Sequence, residues 1–299
     1  MIALMMSKGC KPLKRLVLSA ALGLVSVGAS AAGQPKVAKG IAYYPETTRA
    51  DAKGALDGCL LDLRYTDGVT GFPTVVWFHG GGLVNGHRHF VGLSDRTIAV
   101  VAVEYRLMSE TNAVRGADCI TDAAAAVAWT LDHIADYGGD PKKVFVSGSS
   151  AGGYLTMMVG MDPKWLAKYG LKTSDLAGLA PNSGQATTHF AVKKFRGDTR
   201  PGIVPVIDEY APLGHVSNWK DIPPIVCISG EPPWEWKGRA EENELLIGTL
   251  KGLGHKKSWY VRLPFANHGR TIIFGMGYIE GFVLGRYPDD LHLVEGEKH

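Results

Sequence analysis

A short β-branched run that ends in Gly-x-Ser-x-Gly constrains this chain more than any other feature. The run from Val144 to Gly153 predicts a strand that turns sharply into a helix, with a serine at the apex. Two adjacent serines occupy the turn, but only Ser150 has a glycine two residues before it and another two residues after it. Glycine suits both places because the apex is cramped and strained. We therefore expect the Ser150 hydroxyl to lie above a helix N-terminus, where amide hydrogens favour negative charge.

A glycine loop follows an earlier apolar stretch. Residues Thr74–Phe78 predict a buried strand, and the run His-Gly-Gly-Gly from His79 to Gly82 comes directly after it. Consecutive glycines often mark nothing more than a turn. A glycine loop after one strand and a serine elbow after a later strand are, however, what an oxyanion hole built from two chain segments requires. We interpret the loop in that way, with His79 as its structural member.

Taken together, the two motifs resemble the α/β-hydrolase fold, and within it the esterases with a His-Gly-Gly-Gly motif, akin to hormone-sensitive lipase and bacterial carboxylesterases. The resemblance extends from about Leu56 to about Arg286. Shorter matching segments are Glu104-Tyr105-Arg106-Leu107, Tyr137-Gly138-Gly139-Asp140-Pro141 and Asn267-His268-Gly269. In this family the second and third glycines and the residue after the nucleophile donate to the oxyanion. The resemblance therefore implies that Gly81, Gly82 and Ala151 form the oxyanion hole.

Apolar runs and helical segments alternate along the chain. The predicted strands are Cys59–Tyr65, Thr74–Phe78, Val100–Tyr105, Val144–Ser147, Leu176–Ala180, Ile225–Ser229 and Ser258–Leu263. The predicted helices are Gly116–Tyr137, Ala151–Met161, Gly238–Gly254 and Ile272–Leu284. Continuous apolar runs are typical of parallel strands covered on both faces, so we expect an α/β fold with a mostly parallel central sheet. Residues 32–55 predict only a polar lead-in at the surface.

The N-terminal segment has the pattern of a secretion signal. Four basic residues precede the apolar run Leu16–Val27 and the small residues Ala29-Ser30-Ala31. We expect a signal peptide over residues 1–31, a single hydrolase domain over residues 32–299, and export to the periplasm or the medium. The apolar run is too short to span a bilayer comfortably, so we expect no membrane span in the mature chain.

Charge excludes one class of partner. The full chain carries 32 basic and 29 acidic residues, and removing the four basic residues of the predicted signal leaves 28 against 29. A mature chain with a net charge of about −1 is not expected to bind nucleic acid or an anionic membrane surface.

Cysteine and histidine spacing predicts no metal site. Three cysteines follow the predicted signal, and the sequence leaves open whether Cys59 and Cys119 form a disulfide in an exported protein. Cys227 lies in an apolar run and is predicted to be a buried thiol. The pair His87 and His89 has no nearby carboxylate to complete a ligand set.

The remaining members of a catalytic triad are sought after the elbow. His268 is the predicted base, because it lies between the last predicted strand and the last predicted helix. The acid is expected between the strand Ile225–Ser229 and His268. Proteins of this family commonly have an aspartate three residues beyond a glycine there, but Pro233 occupies that place. Glu235 is the preferred acid and Glu231 the alternative.

These residues predict a serine carboxylesterase that forms an acyl-enzyme and needs no cofactor. Too few residues precede the first strand for a large N-terminal cap, so we expect an open site for short acyl or small aromatic acyl esters, free or linked to a glycan. The aromatic residues of the stretch 183–221, with Trp234 and Trp236, either roof this site or pack the sheet edge. A peptidase or amidase on the same triad and a non-catalytic binding protein are the alternatives, and the oligomeric state stays open.

Overall fold

An eight-stranded sheet forms the centre of the computed structural model, which describes residues 33–93 and 97–286. The strands are β1 (Pro35–Ala42), β2 (Leu60–Thr66), β3 (Phe72–Phe78), β4 (Ala99–Val103), β5 (Gly139–Ser149), β6 (Gly178–Asn182), β7 (Ile225–Gly230) and β8 (Ser258–Leu263). Their order is β1-β2-β4-β3-β5-β6-β7-β8. The β1–β2 and β2–β4 pairs are antiparallel, and the remaining pairs are parallel.

Helices cover both faces of the sheet. They are α1 (Glu46–Asp51), α2 (Gly116–His133), α3 (Ala151–Met161), α4 (Lys164–Ala167), α5 (Phe190–Phe195), α6 (Arg239–Leu253) and α7 (His268–Val283). One apolar core contains the inner faces of α2, α3 and α6, and the other contains that of α7. Successive side chains of β3 point to opposite cores, with Val76 in the first and Val75 and Trp77 in the second. The α/β class predicted from the sequence is confirmed.

The strand register aligns the segments that carry the predicted chemistry. Phe78 at the end of β3 pairs with Gly148, and Ser149 at the end of β5 pairs with Asn182. Gly230 at the end of β7 pairs with Leu263 in β8. The loops after β3, β5, β6, β7 and β8 therefore leave the sheet at one edge, the carboxyl edge where α/β proteins bind ligands.

Several elements differ from the sequence prediction, and two of the differences have a clear physical cause. Residues 32–55 are not merely a polar lead-in, because they contain α1 and β1, which pairs antiparallel with β2. Most β1 residues are exposed at the sheet edge, so the strand lacks the apolar run by which strands were recognised. Helix α7 begins at His268 and not at Ile272, because the Asn267 side chain accepts a hydrogen bond from the Arg270 amide at 2.9 Å and caps the helix.

The predicted signal peptide, residues 1–31, lies outside the described residues. Over residues 33–93 and 97–286, no helix is both long enough and apolar enough to cross a bilayer. Cys59, Cys119 and Cys227 are buried free thiols, so the pairing that the sequence left open does not occur in this structure. Burial raises the pKa of the Cys59 thiol to about 12, and it raises the pKa of the other two as well.

Candidate active site

Ser150 occupies the junction between β5 and α3 in a strained conformation. Its φ of 56° and ψ of −115° lie where a side chain is unfavourable, and its amide donates to the Asn182 carbonyl at 2.9 Å. A Cβ at position 152 would lie 2.0 Å from the Phe78 carbonyl oxygen, so only glycine permits this approach of helix to strand. Ser149 is still paired within β5, which leaves Ser150 alone at the apex.

The glycine loop after β3 lies against this elbow. A Cβ at Gly80 would come within 3.4 Å of the Ser150 Cβ, so the two loops are in contact. Gly81 has a φ of 107°, and a Cβ there would lie 1.9 Å from the Asn85 carbonyl oxygen. Among the described residues, the amides of Gly81 and Gly82 have no hydrogen-bond acceptor. Ala151, the third predicted donor, is the first residue of α3. Unpaired amides beside a serine suit the stabilisation of a developing oxyanion.

His79 anchors the glycine loop and is a structural residue, as interpreted from the sequence. The imidazole is buried, its Nδ1 donates to the Gly80 carbonyl at 2.7 Å, and its ring stacks on Tyr105 at 4.3 Å. The Tyr105 hydroxyl donates to the His79 carbonyl at 2.8 Å. Burial alone would raise the pKa of the neighbouring Glu104, but the His79 imidazole, whose Nε2 lies 3.6 Å from Oε1, and a hydrogen bond from the Arg88 amide lower it.

Glu235, of the two candidate acids, lies against His268. The His268 Nδ1 donates to Glu235 Oε1 at 2.8 Å, and the carboxylate is fully buried. It also accepts from the amides of Gly230 and Trp236 at 3.1 and 2.8 Å. Burial opposes ionisation, but hydrogen bonds from His268, the Ser183 hydroxyl and the Trp236 amide hold the pKa of Glu235 at about 2. Glu235 is therefore an ionised partner for the imidazole throughout the neutral range.

Glu231, the alternative acid, binds elsewhere. Its Oε2 accepts from the Phe265 amide at 3.3 Å, in the loop that precedes α7. Its backbone carbonyl accepts from the amides of Trp234 and Glu235. Glu231 thus shapes the segment that carries Glu235 rather than contacting His268.

Ser183 is a member of the site that the sequence reading missed. Its hydroxyl donates to Glu235 Oε2 at 2.6 Å and lies 3.0 Å from His268 Nδ1, from which it accepts. The residue has a φ of 52°, and its carbonyl accepts from the buried guanidinium of Arg239 at 2.7 Å. No motif marks Ser183. The available signal was its position directly after β6, the strand beside the elbow strand.

Asn182 links the elbow to the helix that carries His268. Its carbonyl accepts from the Ser150 amide, and its side-chain amide donates to the Thr271 carbonyl in the first turn of α7 at 3.1 Å. Because Nδ1 of His268 donates to Glu235, the ring nitrogen Nε2 is left as an acceptor. Such an imidazole has the tautomer that a general base for a serine hydroxyl requires.

Two aromatic side chains border the site. The Trp236 indole stacks on His268 with a centroid separation of 4.2 Å. The Phe190 ring contacts Trp236 and also lies next to Gly82 of the glycine loop. These two rings also line a cavity of about 220 Å³ together with Gln185, Ile203 and charged side chains such as Lys237, and neither Ser150 nor His268 lines it. Phe190 and Trp236 therefore roof the site.

The other aromatic side chains considered for the roof serve elsewhere. His189 is buried beneath Phe190, and Trp219 packs against the core, as does Tyr210. Trp234 is exposed. A larger cavity of about 600 Å³ lies at the C-terminal half of α2 and includes none of the predicted site residues.

Comparison with known proteins identifies the family. The BD-FAE family profile matches residues 61–213, just over half of the chain. This chain belongs to the BD-FAE family. The matched part contains the glycine loop, the elbow and Ser183, whereas the segments with Glu235 and His268 follow it. The resemblance to α/β-hydrolases drawn from the motifs is thereby confirmed for this BD-FAE chain.

Several proteins that are similar to this BD-FAE chain are named esterases. Mouse carboxylesterase 1E is 32% identical over 189 residues, which cover 60% of this chain and 30% of that protein. The chain thus spans less than a third of that relative's length. A thermophilic esterase from Thermogutta terrifontis has a TM-score of 0.61 at 21% identity, covering 90% of this chain and 96% of that one. A truncated carbohydrate esterase from gut microbiota has a TM-score of 0.60 at 14% identity, covering 86% and 98%. These structures show that the fold is shared.

The Glu235 carboxylate makes the stability of this BD-FAE chain depend on acid pH. Its pKa falls from an ordinary 4.5 to about 2 on folding, so its contribution is present above pH 4.5 and is lost as the pH drops toward 2. We expect the difference in free energy of unfolding between the native chain and Glu235→Gln to shrink as the pH falls below 4.5. Urea unfolding between pH 7 and pH 3 measures this difference. A difference that does not shrink below pH 4.5 would contradict the lowered pKa of Glu235 in the folded state.

Ser183→Ala removes the hydroxyl that bridges Glu235 and His268. A buried carboxylate that loses a hydrogen bond costs about 1.5–3 kcal/mol, so we expect lower stability and a fall of roughly tenfold in any His268-dependent turnover. Ser147→Ala is the matched control, because the Ser147 hydroxyl is also buried and donates to the Ala180 carbonyl at 2.7 Å, within the sheet. Equal losses of turnover in both variants would show that Ser183 acts through packing alone.

Proposed function

We propose that this chain is a serine hydrolase of carboxylic esters that works through an acyl-enzyme intermediate. The single observation that carries the proposal is the buried Glu235–His268 hydrogen bond, joined through Asn182 and Ser183 to the strained elbow at Ser150. Membership of the BD-FAE family and the likeness to carboxylesterases support the same chemistry. The export inferred from residues 1–31 belongs to the proposal, and N-terminal sequencing of the secreted chain tests it.

Acylation begins with proton transfer to the imidazole. His268 Nε2 takes the Ser150 hydroxyl proton as the oxygen attacks the carbonyl carbon of the ester. The carbonyl oxygen becomes an oxyanion, which the amides of Gly81, Gly82 and Ala151 stabilise. When the tetrahedral intermediate collapses, the bond to the alcohol oxygen breaks and His268 returns the proton to that oxygen.

Deacylation repeats these steps with water. His268 takes a proton from the water as it attacks the acyl carbon, and then gives the proton back to Ser150 as the acid leaves. Each step makes the imidazole transiently cationic, and the ionised Glu235 at 2.8 Å from Nδ1 stabilises that cation.

The cavity lined by Phe190 and Trp236 favours small groups. Its volume of about 220 Å³ is below the range of roughly 300–1,000 Å³ typical of drug-sized ligand sites. Its aromatic walls, Phe190 and Trp236, suit a short acyl chain or one aromatic ring. The likeness to a carbohydrate esterase supports a glycan-linked ester as the natural substrate.

An ester panel graded by acyl size tests this proposal. We expect p-nitrophenyl acetate, butyrate and benzoate to be turned over with higher kcat/KM than the octanoate and laurate esters. Acetylated and aromatic-acylated xylo-oligosaccharides test the glycan link. Faster hydrolysis of the long acyl esters would contradict the proposed acyl preference, and faster hydrolysis of aminoacyl anilides would identify an amidase or peptidase instead.

A further inference from the structure

The indole of Trp236 lies flat against the imidazole of His268. The ring centroids are 4.2 Å apart and the ring planes differ by 11°. Trp236 directly follows Glu235, and its amide donates to the same carboxylate oxygen, Oε1, that accepts from His268 Nδ1. Two consecutive residues therefore hold the imidazole. Glu235 binds the edge of the imidazole ring, and Trp236 packs against its face.

Neighbouring side chains keep the indole in this position. The Arg239 guanidinium carbon lies 5.7 Å from the Trp236 ring centroid, and Arg239 is itself buried and bound to the Ser183 carbonyl. Phe190 contacts Trp236 at 6.3 Å with the ring planes inclined by 66°. Trp236 nevertheless stays 50% exposed. The indole is thus oriented by specific contacts and not by full burial in the core.

We propose that Trp236 is a positioning residue that stabilises the cationic form of His268 during acyl transfer. This inference rests on the proposed function, in which the imidazole becomes positively charged in both half-reactions. The negative face of an aromatic ring attracts a cation within about 6 Å, and tryptophan does so most strongly. Because the attraction exists only once His268 has taken the proton, it favours the transition state over the ground state and acts on kcat.

Stacking also restricts the orientation of His268. The hydrogen bond to Glu235 allows the imidazole to rock about the Nδ1–Oε1 axis, and a flat neighbour at van der Waals distance limits that rotation. Nε2 is thereby kept pointing in one direction, which preserves proton transfer with Ser150. Both effects need an aromatic face and are lost with an aliphatic side chain of similar hydrophobicity.

Three variants test the inference with p-nitrophenyl acetate. We expect Trp236→Leu to lower kcat about tenfold while KM stays within about twofold, and Trp236→Phe to recover most of the loss. Trp234→Leu is the matched control, because Trp234 lies in the same loop, is 55% exposed and has no aromatic partner in the described part of the chain. A change in KM alone, or equal losses in Trp236→Leu and Trp236→Phe, would overturn the inference.

A fluorescence titration gives a readout that does not depend on turnover. A protonated imidazole quenches a stacked indole, so the emission difference between Ser150→Ala and the double variant Ser150→Ala/Trp236→Phe is expected to fall at acid pH. Adding His268→Gln to both proteins is expected to abolish that pH dependence. If the native chain hydrolyses esters but this emission difference does not change with pH, the proposed role of Trp236 is overturned and the proposed function is not. A pH-dependent difference in a chain without esterase activity would support the stack and contradict the proposed function.

Discussion

Replacing Ser150 by alanine is expected to lower the kcat for p-nitrophenyl acetate by about 10³-fold or more, because the acyl-enzyme no longer forms. The folded state should persist, since the Ser150 hydroxyl caps nothing and the strained turn relies on its backbone and on Gly152. Steady-state kinetics of the purified variant measure the loss. The residual rate reports what the oxyanion amides achieve without a nucleophile.

Ser149→Ala is the matched control for this prediction. Ser149 is adjacent to Ser150 and equally small, but it lies within β5 and is paired with Asn182. We expect the kcat of Ser149→Ala to stay within about threefold of the native value, because the Ser149 side chain takes no part in the proposed reaction. Comparable losses in both variants would mean that the elbow is misplaced by one residue.

Glu235→Gln is expected to give the second largest loss, about 10²- to 10⁴-fold in kcat. The substitution keeps the shape of the side chain but replaces the carboxylate that binds Nδ1 with an amide, which provides no negative charge for the imidazolium. An amide nitrogen toward His268 would also force the proton onto Nε2 and remove the base. The pH-independent kcat of the variant measures this effect.

Glu231→Gln distinguishes the two acids. Glu231 has the same chemistry and lies four residues away in the same loop, yet its carboxylate accepts from the Phe265 amide and does not contact His268. We expect a change of less than about fivefold in kcat, together with a small loss of stability. A larger fall in Glu231→Gln than in Glu235→Gln would show that the loop rearranges during catalysis.

The parts of the fold with a strong local signal were predictable from the sequence. Strand β8 and helix α3 have the predicted bounds, because each is an apolar run closed by clear breaking residues. Strand β1 was not predicted because an edge strand can be mostly polar. Its pairing with β2 is set by residues about 25 positions away. The start of α7 was predicted four residues too late, because its first turn is polar and is capped by the Asn267 side chain.

The site was predictable only where chemistry leaves a motif. Ser150 and the glycine loop stand out because backbone geometry demands glycine at fixed spacings. Sequence alone gave Glu235 and Glu231 similar standing, since either loop carboxylate can reach a histidine of unknown position. Ser183 was marked only by its place after β6 and Trp236 only as an aromatic residue that could roof the site, because their contacts with His268 join segments separated by 85 and 32 positions. Such contacts come from the sheet order, which a single sequence does not encode locally.

Active-site labelling tests the central claim most directly. The native chain is treated with a fluorophosphonate, digested, and analysed by mass spectrometry with fragmentation that separates Ser149 from Ser150. The phosphonyl group is expected on Ser150 alone, with labelling abolished in Ser150→Ala and strongly slowed in His268→Gln. A folded chain that takes up no label, or takes it up on another residue, would contradict the assignment of Ser150 as an activated nucleophile.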